Sequence, residues 1–99
     1  MSALGDLLDD QAGELEGTER RPVDGGVEYV RVGSLFVVLG SEAEFRLGAD
    51  IAAAALRTPD THPSSRGPEW VAFGPMTMDR FARDRAAAWF KLAWGAAAR

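Results

Sequence analysis

The chain has 99 residues, 46 % of them hydrophobic, no cysteine and a net charge of −4. That length allows one domain with a modest core, and the missing cysteines exclude disulfides, thiolate chemistry and Cys-based zinc or iron–sulfur sites. The charge is uneven, net −6 over residues 1–28 and net +3 over residues 77–99; this leaves room for one basic surface but sets the whole chain against tight non-specific binding to phosphate backbones.

Leu4, Leu7, Leu8, Ala12 and Leu15 recur at helical spacing. Residues 2–16 are therefore expected to form an amphipathic helix, capped by Ser2 and ended by Gly17. Asp24-Gly25-Gly26 signals a turn into a β-rich strand, residues 27–32. Gly33-Ser34 suits a two-residue hairpin turn into residues 35–39, a continuous apolar run that reads as an interior strand with both faces covered. A third strand, residues 43–47, alternates Ala43, Phe45 and Leu47 with Glu44 and Arg46. Connections this short require an antiparallel meander.

Asp50 is placed as the cap of a short alanine-rich helix, residues 51–57, which Thr58-Pro59 stops. The Pro-rich stretch 58–68 is expected as a loop, and residues 69–74 as a fourth strand with Trp70 buried. Thr77 is read as the cap of a last helix, residues 78–97. Its core face, centred near Trp89, holds Met78, Phe81, Ala82, Ala86, Leu92, Ala93 and Ala96. The expected class is α+β, with a small antiparallel sheet of about four strands and three helices.

Two runs, Tyr29-Val30-Arg31-Val32-Gly33-Ser34-Leu35-Phe36-Val37-Val38-Leu39 and Gly67-Pro68-Glu69-Trp70-Val71, stand in order before a terminal helix. They resemble the small bacterial MmcQ/YjbR family over residues 22–99, without much of that family's N-terminal helical region. A TfoX N-terminal-type domain has a similar pattern. The resemblance implies an α+β fold and, by fold analogy within the family, DNA binding; likeness of fold does not itself carry function.

A hydrolytic triad needs nucleophile, base and acid brought from rigid elements to an oxyanion hole, whereas Asp60, His62, Ser64 and Ser65 share one turn. A single histidine among scattered carboxylates has no metal-ligand spacing, and no phosphate-loop pattern follows the glycines. No catalytic residue, metal or cofactor is therefore expected, and the chain is read as no enzyme. His62, Ser64, Ser65 and Arg66, beside Gly67, form a candidate anion site. The bland alternative is local turn hydrogen bonding with Arg66 paired to Glu69.

Phe90 and Trp94, spaced i and i+4, fall on the flank of a face centred at Trp89. Either the buried arc is wide or they form an apolar ridge for a partner. The favoured expectation is a non-enzymatic interaction domain, acting as a homodimer or on an unidentified protein partner. One alternative is a nucleic-acid module using Arg31, Arg46, Arg80, Arg83 and Lys91; the other is a small anionic-ligand domain using the 58–68 loop. Lacking a signal-peptide pattern or a run of about 20 apolar residues, the chain is expected to be cytoplasmic, with no membrane partner.

Overall fold

A computed structural model describes residues 2–98. Its elements are α1 (Ala3–Glu14), β1 (Thr18–Val23), β2 (Gly26–Arg31), β3 (Ser34–Leu39), β4 (Ala43–Arg46), α2 (Ala49–Ala55), β5 (Thr61–Pro63), β6 (Trp70–Phe73) and α3 (Arg80–Ala97). The strands form one antiparallel sheet in the order β1-β2-β3-β4-β6-β5. The α+β class, the meander of β2, β3 and β4 and the two outer helices agree with the sequence reading. The sheet has six strands rather than four. Neither extra strand carries an apolar alternation: β1, Thr-Glu-Arg-Arg-Pro-Val, is an exposed edge, and β5 is three residues inside the Pro-rich stretch. Pro22 sits on that outer edge, where a missing N–H discourages pairing with another chain.

Local chemistry sets the boundaries. Ser2 caps α1 by accepting a hydrogen bond from the Gly5 amide at 2.9 Å, and Leu4 and Leu8 turn inward. The β2–β3 turn falls at Val32-Gly33, one residue before the expected Gly33-Ser34, since Arg31 pairs with Ser34. Both turn residues have positive φ, 51° and 76°; this is the primed geometry that matches the twist of paired strands. Gly26 permits a close crossing, because a Cβ there would meet the Leu39 carbonyl oxygen at 1.8 Å. Helix α2 starts at Ala49 after Gly48, whose φ is 89°, and not from an Asp50 cap. Asp79, not Thr77, caps α3 by accepting from the Ala82 amide at 2.8 Å.

One cluster of side chains forms the core. It joins Leu4 and Leu8 of α1, Ala52 and Ala55 of α2, and the inner side of α3 to one face of the sheet. Strand β3 lies inside the sheet and carries a bulge: Tyr29 pairs with Val37 and Val30 with Leu35, so Phe36 is the extra residue. The bulge lets Phe36 and Val37 both join the core. Trp70 is only half-buried, contrary to expectation, because it pairs with Arg46 on the face opposite Val71 and Phe73.

Helix α3 is rotated from its expected setting. Its buried residues are Ala82, Ala86, Trp89, Phe90 and Ala93, which centres the core face roughly 50° from Trp89, toward Phe90. The alanines bring the helix backbone close to the sheet, and the sheet's aromatics supply the bulk. Phe90 meets Tyr29 and Phe36 edge-on, each at 5.3 Å between centroids. Trp89 meets Phe45 at 5.8 Å and Phe73 at 5.2 Å in the same manner. The rotation carries Phe81 and Leu92 out of the core, to 66 % and 45 % exposure. No helix of the described residues is long and apolar enough to cross a membrane.

Candidate functional site

With all three helices in the core on one side, the other face of the sheet is free of helices. Across neighbouring strands that face carries the row Glu28, Val38, Glu44, Ala72 and His62. A groove of about 580 Å³ opens over the row, between the β1–β2 turn and residues 63–66. The candidate anion residues line it. His62 and Ser64 alternate onto the same side of the chain, which is the one part of this site that a missed strand, β5, explains.

Three of the four already make hydrogen bonds within the chain. His62 Nε2 lies 2.6 Å from Glu42 Oε1, and Nδ1 lies 3.2 Å from the Pro63 carbonyl oxygen. With acceptors at both nitrogens, chiefly Glu42, the imidazole is held above its ordinary pKa. The Ser64 hydroxyl donates to Glu44 Oε2 and accepts from the Arg66 amide at 3.1 Å. The Arg66 guanidinium donates to Glu44 Oε1 at 3.1 Å, so its partner is Glu44 and not Glu69. Ser65 lies exposed at the lip. The structure thus brings the four residues together but spends donors of His62, Ser64 and Arg66 on two carboxylates. Ser64 and His62 each face a glutamate, not one another. Among the described residues no cluster of His, Asp or Glu is placed to hold a metal ion.

The expected aromatic ridge is corrected. Phe90 is fully buried inside the monomer, and Trp94 is engaged within the chain: its indole N–H donates to the Glu16 carbonyl at 2.9 Å. Arg31 stacks on the Trp94 ring at 3.5 Å and donates to the Trp94 carbonyl at 2.8 Å. These contacts tie the C-terminal turns of α3 to β2 and to the end of α1. The five candidate nucleic-acid cations are not gathered on one surface. Arg31 is held by Trp94, Arg46 lies 3.5 Å from Glu69, and Arg80, Arg83 and Lys91 are exposed on α3.

One polar network does lie against the core. The Tyr29 hydroxyl donates to Asp9 Oδ1 at 2.6 Å, and Arg20 Nε donates to the same oxygen at 2.8 Å. Burial, reinforced by the Asp9 contact, pushes the phenol well above its usual range. Burial alone would raise Asp9 too, but the Tyr29 hydroxyl and the Arg20 guanidinium outweigh it and hold the carboxyl below its ordinary value. The network clamps β1 and β2 to α1.

Sequence reasoning missed Phe81. Of the five phenylalanines, Phe36, Phe45, Phe73 and Phe90 are at 0 % exposure and Phe81 is at 66 %. It stands in the first turn of α3, beside a groove of about 480 Å³ formed with Thr58, Pro59 and Asp60. Ala88 and Leu92 continue the same helical stripe at i+7 and i+11, both exposed. The available signal was the spacing Ala82, Ala86, Trp89, Phe90, Ala93, which forms a complete inner stripe without Phe81. Comparison with known proteins found no matching family model, curated protein or solved structure.

Proposed function

We propose that this chain is a non-enzymatic interaction domain that meets a protein partner through the outer flank of α3. The observation that carries the reading is Phe81: one phenylalanine stands 66 % exposed on a rigid helical turn while the other four are at 0 %. A large apolar side chain displayed from a rigid element, with Ala88 and Leu92 continuing its stripe, is the kind of surface that marks a binding contact. The paired states of His62 with Glu42 and Ser64 with Glu44 support a structural role for the loop over a catalytic one. The order of sheet and terminal helix is compatible with a YjbR-like origin, which we retain as part of the proposal and from which we draw no activity.

The test is photo-crosslinking in living cells, with a photoreactive amino acid placed at position 88 on the stripe or at position 21 on the helix-free face. The reading expects discrete protein adducts from position 88 and only background from position 21. Background at both positions, or adducts confined to position 21, would contradict it.

A further inference from the structure

We infer that the partner on the outer stripe of α3 is a second copy of this chain, its α3 laid antiparallel along the first, with a two-fold axis at Ala88. This inference rests on the interaction reading and names the partner. Phe81, Ala88 and Gly95 recur every seven residues, so they stand in one row on α3, turned away from the buried set Ala82, Ala86, Trp89, Phe90 and Ala93. The row runs from a large ring through a small side chain to none. Phe81 is 66 % exposed, and Ala88 is exposed as well. The space over Gly95 is open, with no neighbouring side chain or strand within 4 Å of where its Cβ would stand. A glycine inside a helix is destabilising relative to alanine, and nothing in the packing of the described residues requires one here.

Antiparallel pairing makes that row fit itself. With the axis at Ala88, close to the midpoint of the 18-residue helix, Ala88 faces Ala88 of the second copy. The Phe81 ring then covers Gly95 of the second copy, and the same happens at the other end. The alanine pair lets the helix axes approach closely. The same register arranges the charges. Asp84 and Lys91, also seven residues apart, share one flank of the row, and neither stands in an ion pair among the described residues. A two-fold axis brings each flank against its own copy, so Asp84 meets Lys91 of the second copy at two equivalent places. On the other flank Leu92, 45 % exposed, lies along the Arg85 stem of the second copy. The Arg85 guanidinium stays with the Pro59 carbonyl and Asp60, and Arg80 and Arg83 lie farther round the helix, outside the seam. The match is therefore one of position, residue against residue, and does not depend on the net charge of the surface. One pair of helices about 27 Å long makes a small contact, below the roughly 1,200 Å² of a stable interface. The dimer is accordingly weak, and the dilute chain is a monomer with Phe81 open.

The experiment is sedimentation equilibrium of the full chain over a concentration series at low salt, where exposed charges act most strongly. The parent should pass from monomer to dimer as concentration rises. Asp84→Lys and Lys91→Glu each set like charges across the seam twice, and each should weaken the dimer roughly tenfold. Mixing the two variants should restore association, because a heterodimer regains both opposite-charge contacts. Gly95→Leu should abolish the dimer by filling the space the ring needs, while melting no lower than the parent. None of these side chains packs in the core, and recovery in the mixture shows that the single variants are folded. A parent that stays monomeric to roughly millimolar concentration, a dimer indifferent to these changes, or a mixture that stays dissociated overturns the inference. Adducts from position 88 to a different protein would then leave the interaction reading in place. No self-association, together with no adduct from position 88, overturns both.

Discussion

Truncating Phe90 and Phe81 separately to alanine should give opposite results, because the rotation of α3 decides which phenylalanine holds the fold. Phe90 is fully buried and meets Tyr29 and Phe36 edge-on. Removing such a ring leaves a cavity between α3 and the sheet, at a cost of about 3–5 kcal/mol. For a domain whose whole stability is of order 5–15 kcal/mol, that is a large share, and the melting temperature should fall by roughly 15–30 °C. Phe81 packs on little, so Phe81→Ala should change stability by only about half a kcal/mol. Urea unfolding followed by circular dichroism measures both, and equal slopes would show that the unfolded states are comparable. If Phe81→Ala proves the more damaging change, the inner face of α3 is the one centred on Trp89 and the exposed stripe does not exist.

Asp9→Ala removes the acceptor of the buried Tyr29 hydroxyl and should cost roughly 1–3 kcal/mol. Because Asp9 titrates below its ordinary value in the fold, its contribution is present above that ordinary value and is lost as pH falls through the lowered one. An Asp9→Ala variant should therefore show a flatter acid limb in a pH series of urea melts, and an unchanged limb would place the stabilisation elsewhere. Val32→Asn should raise stability by about 1 kcal/mol, since a β-branched residue at positive φ is unfavourable and asparagine tolerates that region; a lower-melting variant would contradict the primed turn. His62 should titrate above its ordinary value by NMR, and Glu42→Gln should bring it down. The clip it forms with Glu42 is complete below the ordinary imidazole value and is lost as pH rises through the raised one. A titration indifferent to Glu42→Gln would rule the clip out.

The meander was legible because residues 43–47 alternate and Leu35–Leu39 is a short apolar run bounded by turns. The cover expected on both faces of that run is not found, since the helices pack on one face and Val38 lines the open groove. Strand β1 was not legible: its Glu19, Arg20 and Arg21 are exposed, and its place comes from pairing with β2 and from the Asp9 network. The expected 58–68 loop contains strand β5, and the partners of its His62 and Ser64, Glu42 and Glu44, lie about twenty residues away in sequence, beyond what local spacing reveals. On α3 a helical wheel admitted two solutions, because alanines at 82, 86 and 93 weigh little beside Phe81, Trp89 and Leu92. The sheet decided between them, its four inward-facing aromatics Tyr29, Phe36, Phe45 and Phe73 requiring Trp89 and Phe90 together.

Hydroxyl-radical footprinting, read by mass spectrometry at each phenylalanine, tests the interaction surface most directly. In the free chain Phe81 should oxidise readily and Phe90 hardly at all. On adding a partner captured by crosslinking from position 88, Phe81 should become protected while Phe90 stays unreactive. A Phe81 that is inert in the free chain, or one that oxidises equally fast when that partner is bound, would contradict the account.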